Sequence, residues 1–410
     1  MANNVVVTGM GAVCALGHNI DDIFNAAKKG ICGIAEGTMF DREQITDMRF
    51  VAEVKDFDPS AYISKREARR LDRFCQFAIY AGMQAWEHAG LSEFDPYKAG
   101  VIVGSGMGGL NTICEQYEEM RTHGVSAVSS LFIPKAIINI APGNLAIRLG
   151  LHGPNFGVVT ACASGTDAVG QAYRMVKDGT VDIMLVGGAE AVIQNLAVQG
   201  FNQMQALSNA ETVDRASIPF DKERNGFVMG EGAAFLVLES EAHADKRGAE
   251  MYGEICGYGQ TCDANHITAP MEGGVHAAKA MALACEQARI DPTEVGYINA
   301  HGTGTPLNDK TETAAIKACF GAHAYNMKVS STKSMTAHLL GAAGAMEAAL
   351  TMLSLKEGVA LPTINLNVPD PDCDLDYVPH TAQALDTEYA ISNSLGFGGH
   401  NSSLLLRRKR

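Results

Sequence analysis

Short β-branched runs alternate with longer amphipathic stretches along the whole chain, and the alternation repeats. The runs are Val5–Thr8, Gly100–Val103, Val158–Ala161, Ile183–Val186, Ala234–Leu238, Gly253–Tyr258, Tyr297–Asn299, Lys328–Ser330, Ala390–Asn393 and Ser402–Leu406. Between them, helical periodicity marks Asp21–Lys29, Arg66–Gly90, Ser164–Asp178, Gly274–Arg289, Asp309–Phe320 and Leu340–Glu357. Such alternation predicts a layered α/β body. In each half a strand runs through a small-residue turn into a helix: Val-Val-Thr-Ala-Cys-Ala-Ser-Gly around Cys162 and Tyr-Ile-Asn-Ala-His-Gly-Thr around His301. The pattern predicts two similar halves, 1–250 and 251–410, packed together.

Those turns place reactive side chains at strand carboxyl ends, where open α/β sheets bind ligands. A cysteine at random packs inertly in a core. Cys162 instead follows an apolar run and precedes Ala163-Ser164-Gly165, where a helix starts. Small neighbours permit a nucleophile-elbow turn, and a helix N-terminus is expected to favour the thiolate. A thiolate both attacks and leaves thioesters, so the site suits acyl transfer. His301 lies in Asn299–Thr305 beside glycines and threonines. His338 follows Ser331-Thr332-Lys333-Ser334-Met335-Thr336-Ala337. Two neutral imidazoles that share one carbonyl oxygen stabilise an enolate. Lys333 adds positive charge nearby. The glycine-rich turn Gly396-Phe397-Gly398-Gly399 is either a plain hairpin or a loop that aims N–H groups at an oxyanion.

Several classes are disfavoured. The formal net charge of -14 argues against binding nucleic acid or an anionic membrane in bulk. No basic region precedes the first apolar run, which disfavours a targeting leader. The stretch 339–355 carries Glu347 at its centre and reads as a buried helix rather than a membrane span. Ten scattered cysteines without a CxxC pair suggest a reducing compartment, hence the cytoplasm, and no zinc site. Gly104-Ser105-Gly106-Met107-Gly108-Gly109 resembles a dinucleotide fingerprint, but the signal is weak and no acidic ribose partner follows. Against the acidic background, Lys65, Arg66, Arg69, Arg70 and Arg73 form a basic cluster at helical spacing, either a solvated face or a docking patch for an acidic protein.

Together these motifs resemble the β-ketoacyl-acyl-carrier-protein synthases, specifically the synthase II group. TACASG, PFDKERNGFVMGEGA, NAHGTGT, STKSMTAHLLGAAGAMEA and ISNSLGFGGHN occur in the family's order, from about Val5 to Leu406. The resemblance implies a thiolase-like five-layered α-β-α-β-α fold from two βαβαβαββ halves, usually a homodimer. It implies acyl transfer to Cys162, then decarboxylative condensation with malonyl-acyl carrier protein. His301 and His338 would bind the malonyl thioester, and Lys333 would support His338. Phe397 would gate the cysteine, its N–H forming an oxyanion hole with that of Cys162. Thr303 and Thr305 would touch the pantetheine arm, and Met107 would limit the acyl pocket. Arg66, Arg69 and Arg70 would dock the carrier protein. Glu347 would hold the turns beside a structural sodium or potassium ion, with Asn299, Ser392 and Asn393 around it; no organic or redox cofactor is implied. Leu395, Thr166-Asp167 and Gln205 depart from the family pattern.

A polyketide ketosynthase would use the same apparatus. A non-catalytic chain-length factor would lack the nucleophile, and a thiolase would need a second cysteine near Gly396–Asn401, where none stands. A synthase III type pairs its cysteine with one His and an Asn, whereas two histidines stand here.

Overall fold

Ten apolar runs become ten strands of one sheet in the computed structural model, which describes residues 3–45 and 47–409. Five belong to the first half: Val5–Val13, Ala99–Gly104, Asn155–Val158, Ile183–Glu190 and Gly232–Ser240. The other five are Gly253–Cys262, Val295–Asn299, Lys328–Ser330, Tyr389–Gly396 and His400–Arg408. In both sets the spatial order is first, fifth, fourth, second, third. The first–fifth and fifth–fourth pairs are antiparallel; the fourth–second and second–third pairs are parallel. The sets join through their first strands, antiparallel, from Val5 opposite Ile255 to Val7 opposite Gly253. Equivalent strands meeting antiparallel relate the sets as a local two-fold axis would.

Helices Ser164–Lys177 and Ala343–Glu357 pack against each other and touch strands of both sets. They form a central layer. Every residue from Ala343 to Leu355 is buried, as expected of a helix with protein on all sides. Arg73–Ala89 and Ile140–Leu149 cover the outer face of the first set, and Val275–Ala288 with Pro306–Phe320 covers that of the second. The result is five layers, α-β-α-β-α. Strands buried on both faces read as continuous apolar runs; Val5–Val13 and Gly232–Ser240 are buried throughout.

Close helix-on-strand contact explains a repeated glycine pattern. A Cβ on Gly9 or Gly11 would lie 2.3 Å from Ala85 O or 2.2 Å from Ala81 O. In the second half, a Cβ on Gly257 or Gly259 would lie 2.1 Å from Ala284 O or 1.9 Å from Ala280 O. Each half thus uses a Gly-x-Gly in its first strand to seat its outer helix.

Two expectations need correction. The helix expected over Arg66–Gly90 is two helices, Lys65–Ala68 and Arg73–Ala89. Asp72 breaks it: its backbone is extended (ψ 157°) and its carboxylate caps Phe74 N–H. The run expected as strand over Val158–Ala161 leaves the sheet after Val158, and the chain turns at Ala161 (φ 51°). Helices Leu110–His123, Ile140–Leu149 and Asn195–Gln203 were not delimited from the sequence. Among the described residues no helix is long and apolar enough to cross a membrane.

Candidate active site

The turn at Cys162 is sharp. Ala161 sits in the left-handed region (φ 51°), and helix Ser164–Lys177 starts two residues after the cysteine. Ser164 Oγ accepts from Thr160 N–H (2.9 Å) and donates to Ala161 O (2.7 Å), which closes the turn. The turn presents Cys162 to a cavity of about 370 Å³ that His301, His338 and Phe397 also line. The backbone N–H groups of Phe397 and Cys162 point at the sulfur. Contrary to the expectation from the helix N-terminus, the resting group is a thiol. Burial pushes it up to about 12; Lys333 pulls it down, Glu190 pushes it up, and the two N–H groups only partly compensate.

His301 is buried on a turn after strand Val295–Asn299. Glu312 fixes that turn by accepting from His301 N–H and Gly302 N–H, both at 2.8 Å. His338 is equally buried. Its backbone is clasped by Val228 O (2.8 Å) and Gly230 N–H (2.9 Å), and Phe227 packs edge-on to its ring at 5.3 Å. The Gly226–Gly230 part of the long central motif is therefore the cradle of this histidine. The two imidazoles lie 5.3 Å apart, nearly perpendicular. Burial first, and Lys333 second, hold both well below the usual histidine range, so both are neutral. Leu340 N–H donates to His338 Nδ1 (3.3 Å), which puts the ring proton on Nε2. That Nε2 is buried without a protein partner, as is His301 Nδ1. A buried, unpaired donor beside a thiol suits an oxygen that develops negative charge.

Behind the histidines, Lys333 and Glu347 form an ion pair, both side chains nearly free of solvent. Burial raises Glu347 to about 7 despite that partner, and raises Glu312 to about 7 as well. Glu347 Oε2, Asn299 Oδ1 and Ser392 Oγ are buried oxygens without partners. Ser392 and Asn299 pair across adjacent strands, and Asn299 Nδ2 donates to Glu347 O at 3.4 Å. This oxygen set fits a cation. Asn393 differs: its Oδ1 accepts from Ser403 (2.7 Å) and its Nδ2 faces Glu312 (3.3 Å), so its side chain is already engaged.

Phe397 caps a hairpin between strands Tyr389–Gly396 and His400–Arg408, so the glycine turn is both a hairpin and a source of an N–H aimed at Cys162. Thr303 and Thr305 line the cavity with their hydroxyls 3.1 Å apart. Leu395 and Gln205 line it too. Thr166 and Asp167 are structural: Thr166 Oγ1 meets Ser394 Oγ (2.7 Å), and Asp167 accepts from Thr160 and Tyr258 (both 2.6 Å) and from Ser402.

Met107 does not line this cavity; it packs against the cluster that holds Val198 and Leu340. Arg66, Arg69 and Arg70 are exposed. Arg73 does not share their face. It pairs with the buried Glu231 at 2.7 Å, with Phe77 4.6 Å from its guanidinium. The Gly104–Gly109 loop does join a strand to a helix, but Glu190 fills it. Its carboxylate accepts from Ser105 Oγ, Gly106 N–H and Met107 N–H, which leaves no nest for a phosphate.

Sequence reasoning missed Glu190, Glu312 and Asp263. Asp263 Oδ1 accepts from Asn401 Nδ2 (2.8 Å), and Gly398 N–H donates to Ile267 O (2.7 Å), so the segment after strand Gly253–Cys262 braces the Phe397 hairpin. Glu190 and Asp263 stand at strand ends and Glu312 lies within helix Pro306–Phe320, and nothing local tells a buried carboxylate from a solvated one.

A duplicated α/β body with one cysteine and two neutral histidines in a single cavity defines the class: a thiolase-fold acyltransferase. Comparisons narrow this. The model for the β-ketoacyl synthase N-terminal domain matches residues 2–244, and that for the C-terminal domain matches residues 252–367. A 3-oxoacyl-[acyl-carrier-protein] synthase 2 of Synechocystis sp. is 48% identical over 408 residues, 98% of each chain. A β-ketoacyl synthase from Burkholderia phymatum is 36% identical with a TM-score of 0.91, and both chains are fully covered. A type II polyketide ketosynthase, solved in complex with its acyl-carrier protein, is 32% identical with a TM-score of 0.91, again over both full chains. The chain belongs to the β-ketoacyl synthase family.

Proposed function

We propose that this chain elongates a fatty acyl group by two carbons through decarboxylative Claisen condensation with malonyl-acyl carrier protein. The observation that carries the reading is the convergence of Cys162, His301 and His338, from three distant turns, on one cavity. The 48% identity to a 3-oxoacyl-[acyl-carrier-protein] synthase 2, against 32% to the polyketide enzyme, favours fatty-acid over polyketide chemistry. The presence of Cys162 favours an active subunit over a chain-length factor.

In the first half-reaction the sulfur of Cys162 attacks the acyl thioester carbonyl. The carrier thiol leaves and takes the proton that the cysteine loses. The N–H groups of Cys162 and Phe397 hold the oxyanion. Malonyl-acyl carrier protein then places its thioester oxygen between the imidazoles. Loss of carbon dioxide leaves an enolate, which His338 Nε2–H and His301 stabilise. Both rings are neutral donors, so the charge builds against fixed dipoles in a dry site. The enolate carbon attacks the acyl-Cys162 carbonyl, and collapse expels the sulfur as a thiolate, which takes up one proton from solvent, and gives a 3-oxoacyl-acyl carrier protein. Lys333 reinforces the burial that keeps both imidazoles neutral, and Glu347 balances its charge. Thr303 and Thr305 receive the pantetheine arm; Met107 acts on the acyl chain from behind the wall.

A sodium or potassium ion suits Glu347 Oε2, Asn299 Oδ1 and Ser392 Oγ, with Asn393 contributing through its main chain. Bound there, it would supply fixed positive charge that ties the turns together. No organic cofactor enters the scheme. The carrier protein docks on Arg66, Arg69 and Arg70, in keeping with the carrier complex solved for the polyketide relative. Two copies pair along one of the sheet's two free edges, strand Asn155–Val158, flanked by exposed Ile133, Ile137 and Val159. The halves divide near Glu250, and free thiols at all ten cysteines suit the cytoplasm.

The test is a reaction with acyl carrier proteins of several chain lengths and carbon-13-labelled malonyl-acyl carrier protein. The expected product is a 3-oxoacyl-acyl carrier protein two carbons longer, formed with one carbon dioxide. Recovery of unextended acyl groups at every chain length would contradict the reading.

A further inference from the structure

A second cavity, of about 180 Å³, opens at the join of the two halves and shares no residue with the catalytic one. Asn3 and Lys177 reach it from the first half, and Glu254, Gln287, Tyr389 and Arg407 from the second. Its wall is mostly polar, and the condensation scheme does not use it. Lys177 ends the helix Ser164–Lys177, whose other end follows the Cys162 turn. Its Nζ donates to Tyr173 Oη (2.7 Å) and lies 5.0 Å from the centre of that ring. Tyr173 Oη donates in turn to Cys256 O (2.7 Å), so the hydroxyl offers Lys177 a lone pair and no charge. Among the described residues no carboxylate lies within ion-pair distance of Lys177. Burial draws the ammonium below the usual lysine range, and Asp178 opposes that only from farther away.

The duplicated fold supplies a comparison. Turns at Ala161 (φ 51°) and Leu340 (φ 50°) lead into the two central helices, and left-handed glycines, Gly179 (φ 73°) and Gly358 (φ 65°), follow them. Lys177 and Lys356 each stand two residues before that glycine, at equivalent places. Lys356 also lies over an aromatic ring, Tyr252 at 3.9 Å, but it pairs with Glu250 at 2.7 Å. The second half carries its own counter-anion. The first half leaves the corresponding charge at a cavity.

The remaining lining groups select the chemistry of an occupant. Gln287 Oε1 accepts from Tyr258 N–H (2.7 Å), which leaves its amide N–H groups to donate, and Tyr389 adds a hydroxyl. Asn3 and Asn4 spend their amide N–H groups on Val176 O (3.0 Å) and Glu241 Oε2 (2.7 Å), which leaves their oxygens to accept. Glu254 is held between Arg407 (3.7 Å) and Lys409 (3.5 Å). Hydrogen phosphate accepts through its oxygens and donates through its O–H, so it matches both sets; sulfate, of the same shape, matches only the donors. We propose that this cavity binds a hydrogen phosphate group, free or on a small monoester, which serves Lys177 as Glu250 serves Lys356 and ties the two halves together. The site is independent of the condensing reaction.

The test is calorimetric titration of the intact chain with inorganic phosphate, glycerol phosphate and sulfate at fixed ionic strength. Saturable binding of one phosphate per chain, tighter than sulfate, is expected, and the tighter of the two phosphates identifies the source. Lys177→Met should weaken binding about tenfold or more, the weight of one charge-assisted hydrogen bond, while acylation of Cys162 stays near wild type. Lys177→Arg should keep most of the affinity, and Lys356→Met all of it. Phosphate should also raise the unfolding midpoint of the wild type and not that of Lys177→Met, because it binds only the folded chain. If Lys177→Met does not fold, amine footprinting of the wild type with N-hydroxysuccinimidyl acetate decides: phosphate should slow acetylation of Lys177 several-fold and leave Lys356 unchanged. No saturable phosphate binding, binding that sulfate matches, undiminished binding in Lys177→Met, or equal slowing at both lysines would each overturn the proposal.

Discussion

Cys162, His301 and His338 are ordinary side chains placed where ordinary titration is suppressed. Burial makes the cysteine a thiol and both histidines neutral, and Lys333 reinforces the latter. The two half-reactions therefore ask different things of different residues. His338→Ala removes a donor that acts only on the malonyl oxygen. Carbon dioxide release from malonyl-acyl carrier protein should fall at least about a hundredfold, while acylation of Cys162 stays near wild type by intact mass. Equal loss of both steps would place His338 elsewhere in the mechanism. Most of this constellation was legible beforehand, because each residue lies in a short motif between a strand and a helix. Their electrostatic state was not. The upward shift at Cys162 comes from burial first, which depends on how remote segments close over the turn, and only then is it opposed by Lys333, 171 positions away in sequence.

At the scale of elements, the strands were legible because runs buried on both faces are continuous and short. Boundaries were less so. Asp72 ends one helix and caps the next, and Ala161 takes a left-handed turn that its neighbours do not announce. The central helix pair depends on glycine. A Cβ on Gly165 would lie 2.7 Å from Ala345 N and 3.0 Å from Gly341 O. Gly165→Ala should cost about 1–3 kcal/mol in denaturant unfolding and also slow acylation, since it displaces the nucleophile turn. A second test concerns strand Gly232–Ser240. Burial pushes the Glu239 carboxyl up, but Arg247, Thr8 and His243 outweigh it and hold it below the usual 4.5. A depressed carboxyl contributes stability that is present above the unfolded pKa and is lost as pH falls through the folded one. Glu239→Gln should therefore be less stable by about 3 kcal/mol at pH 7, and the gap should close below about pH 4.5. A gap independent of pH would exclude this linkage.

The whole molecule carries net charge -14, yet presents Arg66, Arg69 and Arg70 on one exposed stretch. Reversing all three to Glu should raise KM for acyl carrier protein substrates by tenfold or more at low ionic strength, an effect that salt should shrink. Activity on a small acyl-pantetheine thioester should not change; a matching loss there would point to misfolding rather than docking. The duplicated strand order was legible only as a repeated rhythm of elements. Its physical basis, two Gly-x-Gly first strands paired antiparallel with an outer helix on each, needs pairings between residues about 250 positions apart, such as Val5 with Ile255. The central claim for the whole molecule is that three remote turns make one reacting centre at Cys162. Its most direct test is intact mass after incubation with an acyl-acyl carrier protein, followed by peptide mapping. One acyl group per chain, on Cys162 and absent from Cys162→Ala, is the expected result; an adduct on any other residue, or one that persists in Cys162→Ala, would contradict it.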